Sequence, residues 1–510
     1  MSGRRPIAAR PGAVKASRNA GAYRGSLSAW HPPLASTLDQ QVSERFLSQA
    51  RADDLSVNDW AANSGLNSIV TNAVGTGLRP QSRIKYKRLG ITPEQARELQ
   101  NDIETIWAEW TPRAHVRGML HFEDIQFLGL RTMLRLGELV HLPVMRKTIG
   151  SPVELAIQDI SPTRLRTPLD KLFDSSIVDG VEVDQFGAPA AYWLATPSQA
   201  RPGFFYDPSM LLSKDFTRIP AKIGHRPGCF HLFQYNEDEQ SRGESVLRPG
   251  INLFRHLSDS WDNELLAQVV TSGLALFIAK EPGTPMPAYV EEEDNGKEKK
   301  YYQNIDPGTI VYGNDGEKPH PVETSKVSPN FGAFSEIVLR AMAASLGISY
   351  EVLTKDFSKT NYSSARAALL ESWRLFLLYR TWLVRHFCQP IWSMVIEEAW
   401  LNGRLKFPAG APDFYDAMYH YCQATWIGPA RGYVDPVKEI SATVTALENR
   451  LTTYSEAIAE RGRDFEEVMD EREEEEVRLA SLPEIKKAPS ASASSAAFDD
   501  EKGERNNAAA

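Results

Sequence analysis

The stretch that most constrains this chain is LLESWRLFLLYRTWLVRHFCQPIW, residues 369–392. By apolarity alone it could cross a bilayer, but Arg374, Arg380 and Arg385 sit inside it. Each guanidinium would cost about 2.5–3.5 kcal/mol at a bilayer centre on insertion scales. The run is therefore expected as a helix buried in protein, with no membrane as partner. Pro390 withholds a backbone donor near its end, so a bend is expected there. A helix that is apolar on most faces must be wrapped by other elements, and this sets the centre of the fold.

Directly before it lies a small polar cluster, Lys355, Asp356, Ser358, Lys359, Thr360 and Asn361. Ser363 or Ser364 is expected to cap the helix by accepting a hydrogen bond from one of its orphan N–H groups. Arg366 follows at the start of the spine. The pattern is that of a polar loop carried on a rigid stalk.

The rest of the chain divides by pattern. Residues 1–40 are rich in Gly, Ser, Ala and Pro and read as a disordered arm; its first 25 residues hold Arg4, Arg5, Arg10, Lys15, Arg18 and Arg24 with no acid. Such an arm is either simply solvated or a nucleic-acid tail. Val42–Val74 is helical in period and stops at GTGLRP; further helices are expected after Thr92-Pro93 and over His121–Leu136. The segments LVHLPVMRK, VELAIQDI, GVEVDQFG, PAAYWLA and GCFHLFQ then read as short strands. The helical period returns over Val246–Lys280 and over 331–346. Between them AYVEEEDNGKEKKYYQ (288–303) reads as a hairpin turning at Asn295-Gly296, with Asp294 facing Lys297, Glu292 facing Lys299 and Glu291 facing Lys300. An acidic helical region is expected from Asp435 to Leu482, and a disordered tail from Pro483. The fold class is α+β, mostly helical.

The chemistry narrows the function by exclusion. A formal net charge of −9 lacks the basic footprint of a static DNA binder. Three widely spaced cysteines, Cys229, Cys388 and Cys422, argue for a reducing compartment and against a disulfide framework. No apolar leader marks a secretory signal. His225, Cys229 and His231 are the most metal-like group, but no partner pair at usual spacing completes a zinc shell. The chain contains no G-x-x-x-x-G-K-[ST] and no G-x-S-x-G, so neither a nucleotide motor nor a serine hydrolase is expected. Glu138, in LRLGELVHL, is the most tempting lone carboxylate, and a structural or exposed acid is the favoured reading of it. No catalytic residue, metal or cofactor is expected, and no enzyme.

Six segments taken in order carry a resemblance: VGTGLRP (74–80), LGE (136–138), QSRGES (240–245), DPGTI (306–310), LGISYEVLTKDFSKTNYSSARAALLESWR (346–374) and GYVDPVKE (432–439). Together they resemble the lambda-type bacteriophage portal proteins over roughly residues 40–480. The resemblance implies a homo-oligomeric ring, usually of twelve subunits, at one capsid vertex of the virion, assembled in the host cytoplasm. Double-stranded DNA would pass through its channel with transient, non-specific contacts. The terminase large subunit, the major capsid protein and later a head–tail adaptor would be its partners. The implied regions are a wing (41–245), stem helices (246–280 and 331–350), a clip with the charged hairpin (281–330), a tunnel loop (351–364), a wing spine helix (365–405) and a crown (406–482). Lys355 and Lys359 would then face the channel, and Glu291, Glu292, Asp294, Lys297, Lys299 and Lys300 would form the clip's docking surface. Another structural protein of the head–tail junction is the alternative, and a hydrolase using Glu138 or the 225–231 cluster comes third.

Overall fold

The computed structural model describes residues 37–196, 211–273, 277–279, 318–320, 330–431 and 436–480. They fall into two compact units, one ending at Pro429 and one beginning at Ala430.

The first unit opens with helices α1 (Thr37–Asn58) and α2 (Trp60–Ala73). The single helix expected over 42–74 is thus two, and α1 begins inside the segment read as disordered arm. Asp59 makes the break: one carboxylate oxygen accepts from the Ala62 N–H at 2.7 Å to cap α2, and the other accepts from Ser258 Oγ at 2.5 Å. Strand β1 (Arg79–Ser82) and the short α3 (Tyr86–Leu89) lead to α4 (Pro93–Trp110). A capping box between Thr92 and Gln95 starts α4, as the Thr92-Pro93 signal implies. Helix α5 (Phe122–Leu136) ends on Gly137 in the left-handed region.

The strands follow: β2 (Glu138–Met145), β3 (Leu155–Ile160), β4 (Ile177–Val178), β5 (Val181–Val183), β6 (Pro189–Ala195), β7 (Phe216–Pro220), β8 (Lys222–Ile223), β9 (Arg226–Pro227) and β10 (Phe230–Phe233). They form an antiparallel sheet in the order β10-β2-β3, a second in the order β4-β5-β6-β7, and the small β8–β9 ribbon. Each of the five segments read as strands from sequence supplies one.

Helix α6 (Ile251–Gly273) is shorter than the stem helix expected over 246–280. Residues beyond its end form strand β11 (Phe277–Ala279), paired antiparallel with β12 (Lys318–His320). Phe277 and Ile278 are β-favouring residues, and there the chain is in ladder pairing where the periodicity had suggested more helix. The hairpin at 288–303 lies outside the described residues.

Next come α7 (Phe331–Ser345), α8 (Tyr350–Thr354) and α9 (Tyr362–Leu383), then a π-helical turn over Val384–Cys388 that passes into α10 (Gln389–Leu401). Pro390 sits in the first turn of α10. A π turn lies just before the proline, and it widens the helix where the proline ring would otherwise crowd the preceding carbonyl. Helix α11 (Phe414–Tyr421) and strand β13 (Ala424–Ile427) close the unit, with β13 antiparallel to β1. Residues 406–429, expected as the start of the crown region, therefore lie in the first compact unit. Phe407 stacks on Tyr421 at 4.2 Å and Phe414 lies 5.2 Å from Trp400, binding this segment to the end of the spine.

The core is the aromatic cluster around the spine: Trp107, Trp110, Phe122, Phe387 and Trp392, with Trp107 and Trp392 edge to face at 5.2 Å. Arg380 shows how a cation lives in this apolar run. Its guanidinium donates to the carbonyls of Ala73, Asn72 and Pro429 at 2.9–3.1 Å, satisfying the open C-terminus of α2, and burial pushes it down to about 10. Arg374 and Arg385 point outward.

The second unit contains α12 (Pro436–Glu448), α13 (Tyr454–Ala459), capped by Thr453, and the acidic α14 (Phe465–Ala480). No described helix is long and apolar enough to cross a membrane.

Candidate functional site

The polar loop proper is residues 355–361. The N-terminal part of the segment expected as loop, Glu351 to Leu353, is buried in α8. Lys355 ends that helix in the left-handed region, φ 61°. Within the loop Asp356 accepts from the Ser358 N–H at 2.9 Å, and the Thr360 N–H reaches the Phe357 carbonyl at 3.2 Å. The first is the side-chain-to-backbone turn that Asp favours, and the Thr360 hydroxyl adds another by donating to the same Phe357 carbonyl at 3.0 Å.

Asn361, not Ser363 or Ser364, caps α9: its side-chain oxygen accepts from the Ser364 N–H at 2.8 Å. The helix starts two residues earlier than the serines imply, and both serines lie exposed in its first turn. Arg366 is half-buried one turn further.

The two lysines have different surroundings, which sequence could not show. The Lys355 ammonium turns back onto Ser68 Oγ of α2, and burial there lowers its pKa. Ser64 and Ser68 also donate to the carbonyls of Leu353 and Val352, so the loop's start is stitched to α2. Lys359 lies largely in water, its side chain 68 % exposed, and pairs with Glu336 of α7 at 2.7 Å. Glu336 also binds Arg340 at 2.9 Å. The hydrogen bond to Glu336 raises the Lys359 pKa, and the bonds from Lys359 and Arg340 hold the Glu336 carboxyl below its ordinary value.

Beneath the loop's scaffold, two of the quoted motifs meet. Glu138 is fully buried and accepts from Arg242 Nε at 2.9 Å, from His231 Nε2 at 2.8 Å and from the Gly243 N–H at 3.2 Å, while Arg242 Nη2 reaches its second oxygen. Arg242 also donates to the Leu165 carbonyl at 2.9 Å, and Arg45 of α1 pairs with Asp179 beside it. Two arginines and two carboxylates thus balance. Burial by itself would raise the Glu138 carboxyl; the Arg242 charge and hydrogen bond overcome it and hold the group well below the carboxylate range. Burial lowers the His231 pKa. The approach requires glycine on both segments. Gly137 has φ 93° and a Cβ there would lie 2.5 Å from the Glu244 backbone, while one on Gly243 would fall on the Gly137 carbonyl. This gives LGE and SRGE a structural cause.

The remaining candidates separate. His225 and Arg226 pair with buried Glu397, each at 2.7 Å, whereas His231 faces Glu138 and Cys229 is buried apart. The three residues of the metal-like group thus face different ways. The docking residues Glu291, Glu292, Asp294, Lys297, Lys299 and Lys300 lie outside the described residues.

The described residues form a mostly helical α+β fold with a polar loop presented on a capped helix, as a portal-type subunit does. Residues 23–380 match the family model described as phage portal protein, lambda family, and the chain belongs to that family. It is 27 % identical to the portal protein of Escherichia phage N15 over 91 % of this chain and 90 % of the relative. It is 25 % identical to portal protein B of Escherichia phage lambda, over 90 % and 89 %. Among solved structures, a chain from the neck of a native gene transfer agent particle computed with C12 symmetry covers 81 % of this chain and 97 % of its own length at 12 % identity and TM-score 0.40, a likeness too loose to bear on the assignment. The chain is a phage portal protein, a component of the head–tail connector.

Proposed function

We propose that the chain works as a ring, of twelve copies as the family resemblance implies, whose channel passes double-stranded DNA at one vertex of the virion. In this reading loop 355–361 lines the channel, α6 and α7 form the stem, 365–405 is the wing spine, 430–480 belongs to the crown and 281–330 is the clip. The clip offers the charged surface to the terminase large subunit and later to a head–tail adaptor, and the wing meets the major capsid protein.

The observation that carries this reading is the treatment of the loop's cations. Lys355 is turned onto the neutral Ser68 hydroxyl and Lys359 is paired with Glu336, and with Asp356 in the same loop the two lysines are matched by two carboxylates, so the loop presents a polar face with little net positive charge. DNA must slide past such a wall; each free lysine would replace a phosphate counterion and hold it. Lys359, largely in water and paired through screened charges, can exchange Glu336 for a passing phosphate. The chain itself supplies no ATP hydrolysis in this scheme.

The test is the length of DNA retained in filled heads built with wild-type or Lys359→Ala rings across a salt series. An altered length or salt dependence, with rings intact, is expected. Identical behaviour would remove 355–361 from the channel wall.

A further inference from the structure

Strand β2 carries unlike features at its two ends. At its far end, where Met145 is opposite Leu155, the turn to β3 exposes Met145 and Ile149, and the neighbouring 115–119 turn exposes Met119; their exposures are 56 %, 99 % and 76 %. The two turns are joined, since Arg146 donates to the Val116 carbonyl and Arg113 lies against Gly150. Every charged residue in segments 113–119 and 145–150 is a cation or a histidine: Arg113, Arg117, Arg146 and Lys147, with His115 buried. The tip is also stiff. Buried Glu398 accepts from the Glu154 and Leu155 N–H groups at 2.5 and 3.0 Å, and Trp110 donates to the Leu155 carbonyl at 2.7 Å.

At the near end, where Glu138 is opposite Phe233, strand β10 runs out along a cleft of about 910 Å³ against α9. Its apolar lining includes Tyr235, Leu377, Leu378 and Trp382, with Tyr235 69 % and Leu378 57 % exposed. The β10 bank continues into the exposed acids Glu237, Asp238 and Glu239; the α9 bank carries Arg374 and, in the π turn that follows, Arg385 and His386. Seven residue steps of β2 separate the ends, about 23 Å at ~3.3 Å per residue.

We propose that the 113–119/145–150 tip of one subunit seats in this cleft of a second copy. Met145 and Ile149 cover Tyr235, Leu378 and Trp382, while Arg146 and Lys147 face the acids of the β10 bank and keep away from the cations of the α9 bank. A phosphate backbone would engage the tip's cations but leave three apolar side chains in water, which disfavours DNA as the occupant. A knob and a cleft at opposite ends of one strand make a heterologous contact, which propagates head to tail and closes only as a ring. The inference rests on the ring reading and assigns it a contact.

The test uses the full-length protein. Lys147→Glu should cut ring yield at least tenfold with thermal unfolding of the subunit unchanged, and adding Asp238→Lys/Glu239→Lys to the same chain should restore it. A photo-crosslinker at Ile149 should join two copies, with the adduct mapped to 235 or 377–382. Wild-type yield from the first variant, no recovery in the second, or an adduct on DNA, lipid, another protein or another part of this chain would each overturn the proposal. A wild-type chain that forms no ring by mass measurement would instead overturn the ring reading, so the two failures are distinguishable.

Discussion

Lys359 Nζ stands 2.7 Å from Glu336 Oε2, joining the polar loop to helix α7 across 23 residues of sequence. Both side chains are solvated, so the pair orders the loop more than it stabilises the fold. Lys359→Ala is expected to leave thermal unfolding within about 0.5 kcal/mol of wild type. Glu336→Ala, which frees the lysine without removing it, should increase the salt dependence of DNA passage where Lys359→Ala decreases it. Packaging rates with the two variants across a salt series check this, and shifts of the same sign would show that the pair does not set the loop's charge.

Breaking the buried ion pair should be costly in a way that removing it whole is not. Glu138→Gln leaves the Arg242 guanidinium buried without its counter-charge and is expected to cost about 3–5 kcal/mol. Glu138→Leu with Arg242→Met should cost clearly less than the sum of the single changes. Denaturant unfolding of the four proteins gives the coupling, and additive losses would mean the pair is not a unit.

The two abutting glycines give a graded prediction. Gly243→Ala must displace the Gly137 carbonyl and should cost more than about 2 kcal/mol, whereas Gly90→Ala, with φ 67° and open space around it, should cost about 1 kcal/mol from backbone strain alone. Equal losses in thermal unfolding would remove the close approach as the reason for glycine in SRGE.

Stability should fall below about pH 6.5. His141, fully buried beside Phe387, is pushed down to about 4 by burial, and burial lowers His231 as well. The unfolded chain takes up protons on both below 6.5 while the folded chain refuses them, so stability drops as pH falls from 6.5 toward 4, by about 3 kcal/mol for His141. Glu138 has the depressed carboxylate's sign: its contribution is complete above 4.5 and is lost as pH falls through its lower folded value. Unfolding of His141→Leu as a function of pH should show a shallower slope between 6.5 and 4; an unchanged slope would contradict the assignment.

The docking surface proposed for residues 288–303 has its own test. Charge reversal of Lys297, Lys299 and Lys300 should weaken terminase docking in a pull-down while rings stay intact, and the ring alone should hydrolyse no ATP. Failed ring assembly would make 288–303 a subunit contact instead.

Much of this fold is written in local pattern. Thr92-Pro93 starts a helix, Gly137 ends one, and the strand segments alternate as strands should, because caps and periodicity act over a few residues. What escaped depends on distant partners. The break at Asp59 rests on Ser258, the fate of Lys355 rests on Ser68, and the place of 406–429 rests on the pairing of β13 with β1. Glu138 was visible as an unusual carboxylate, but the arginine that explains it lies 104 residues away. The Asn361 cap was readable in principle, since Asn is as good a cap as Ser, and the choice among neighbours turned on where α9 begins.

The π turn at 384–388 has a consequence for how the spine can change over time. One additional residue turns everything beyond it by about 100° relative to an unbroken helix. The stretch before it, with Arg374, Leu378 and Thr381 outward, and the stretch after it, with Trp392 and Ile396 in the core, are therefore out of phase. Substitutions on the outward stripe can drift to suit whatever lies alongside without any matching repeat in α10. A one-residue deletion in the turn would repair the helix and ruin the protein, because it would swing the buried tryptophan face away from its core.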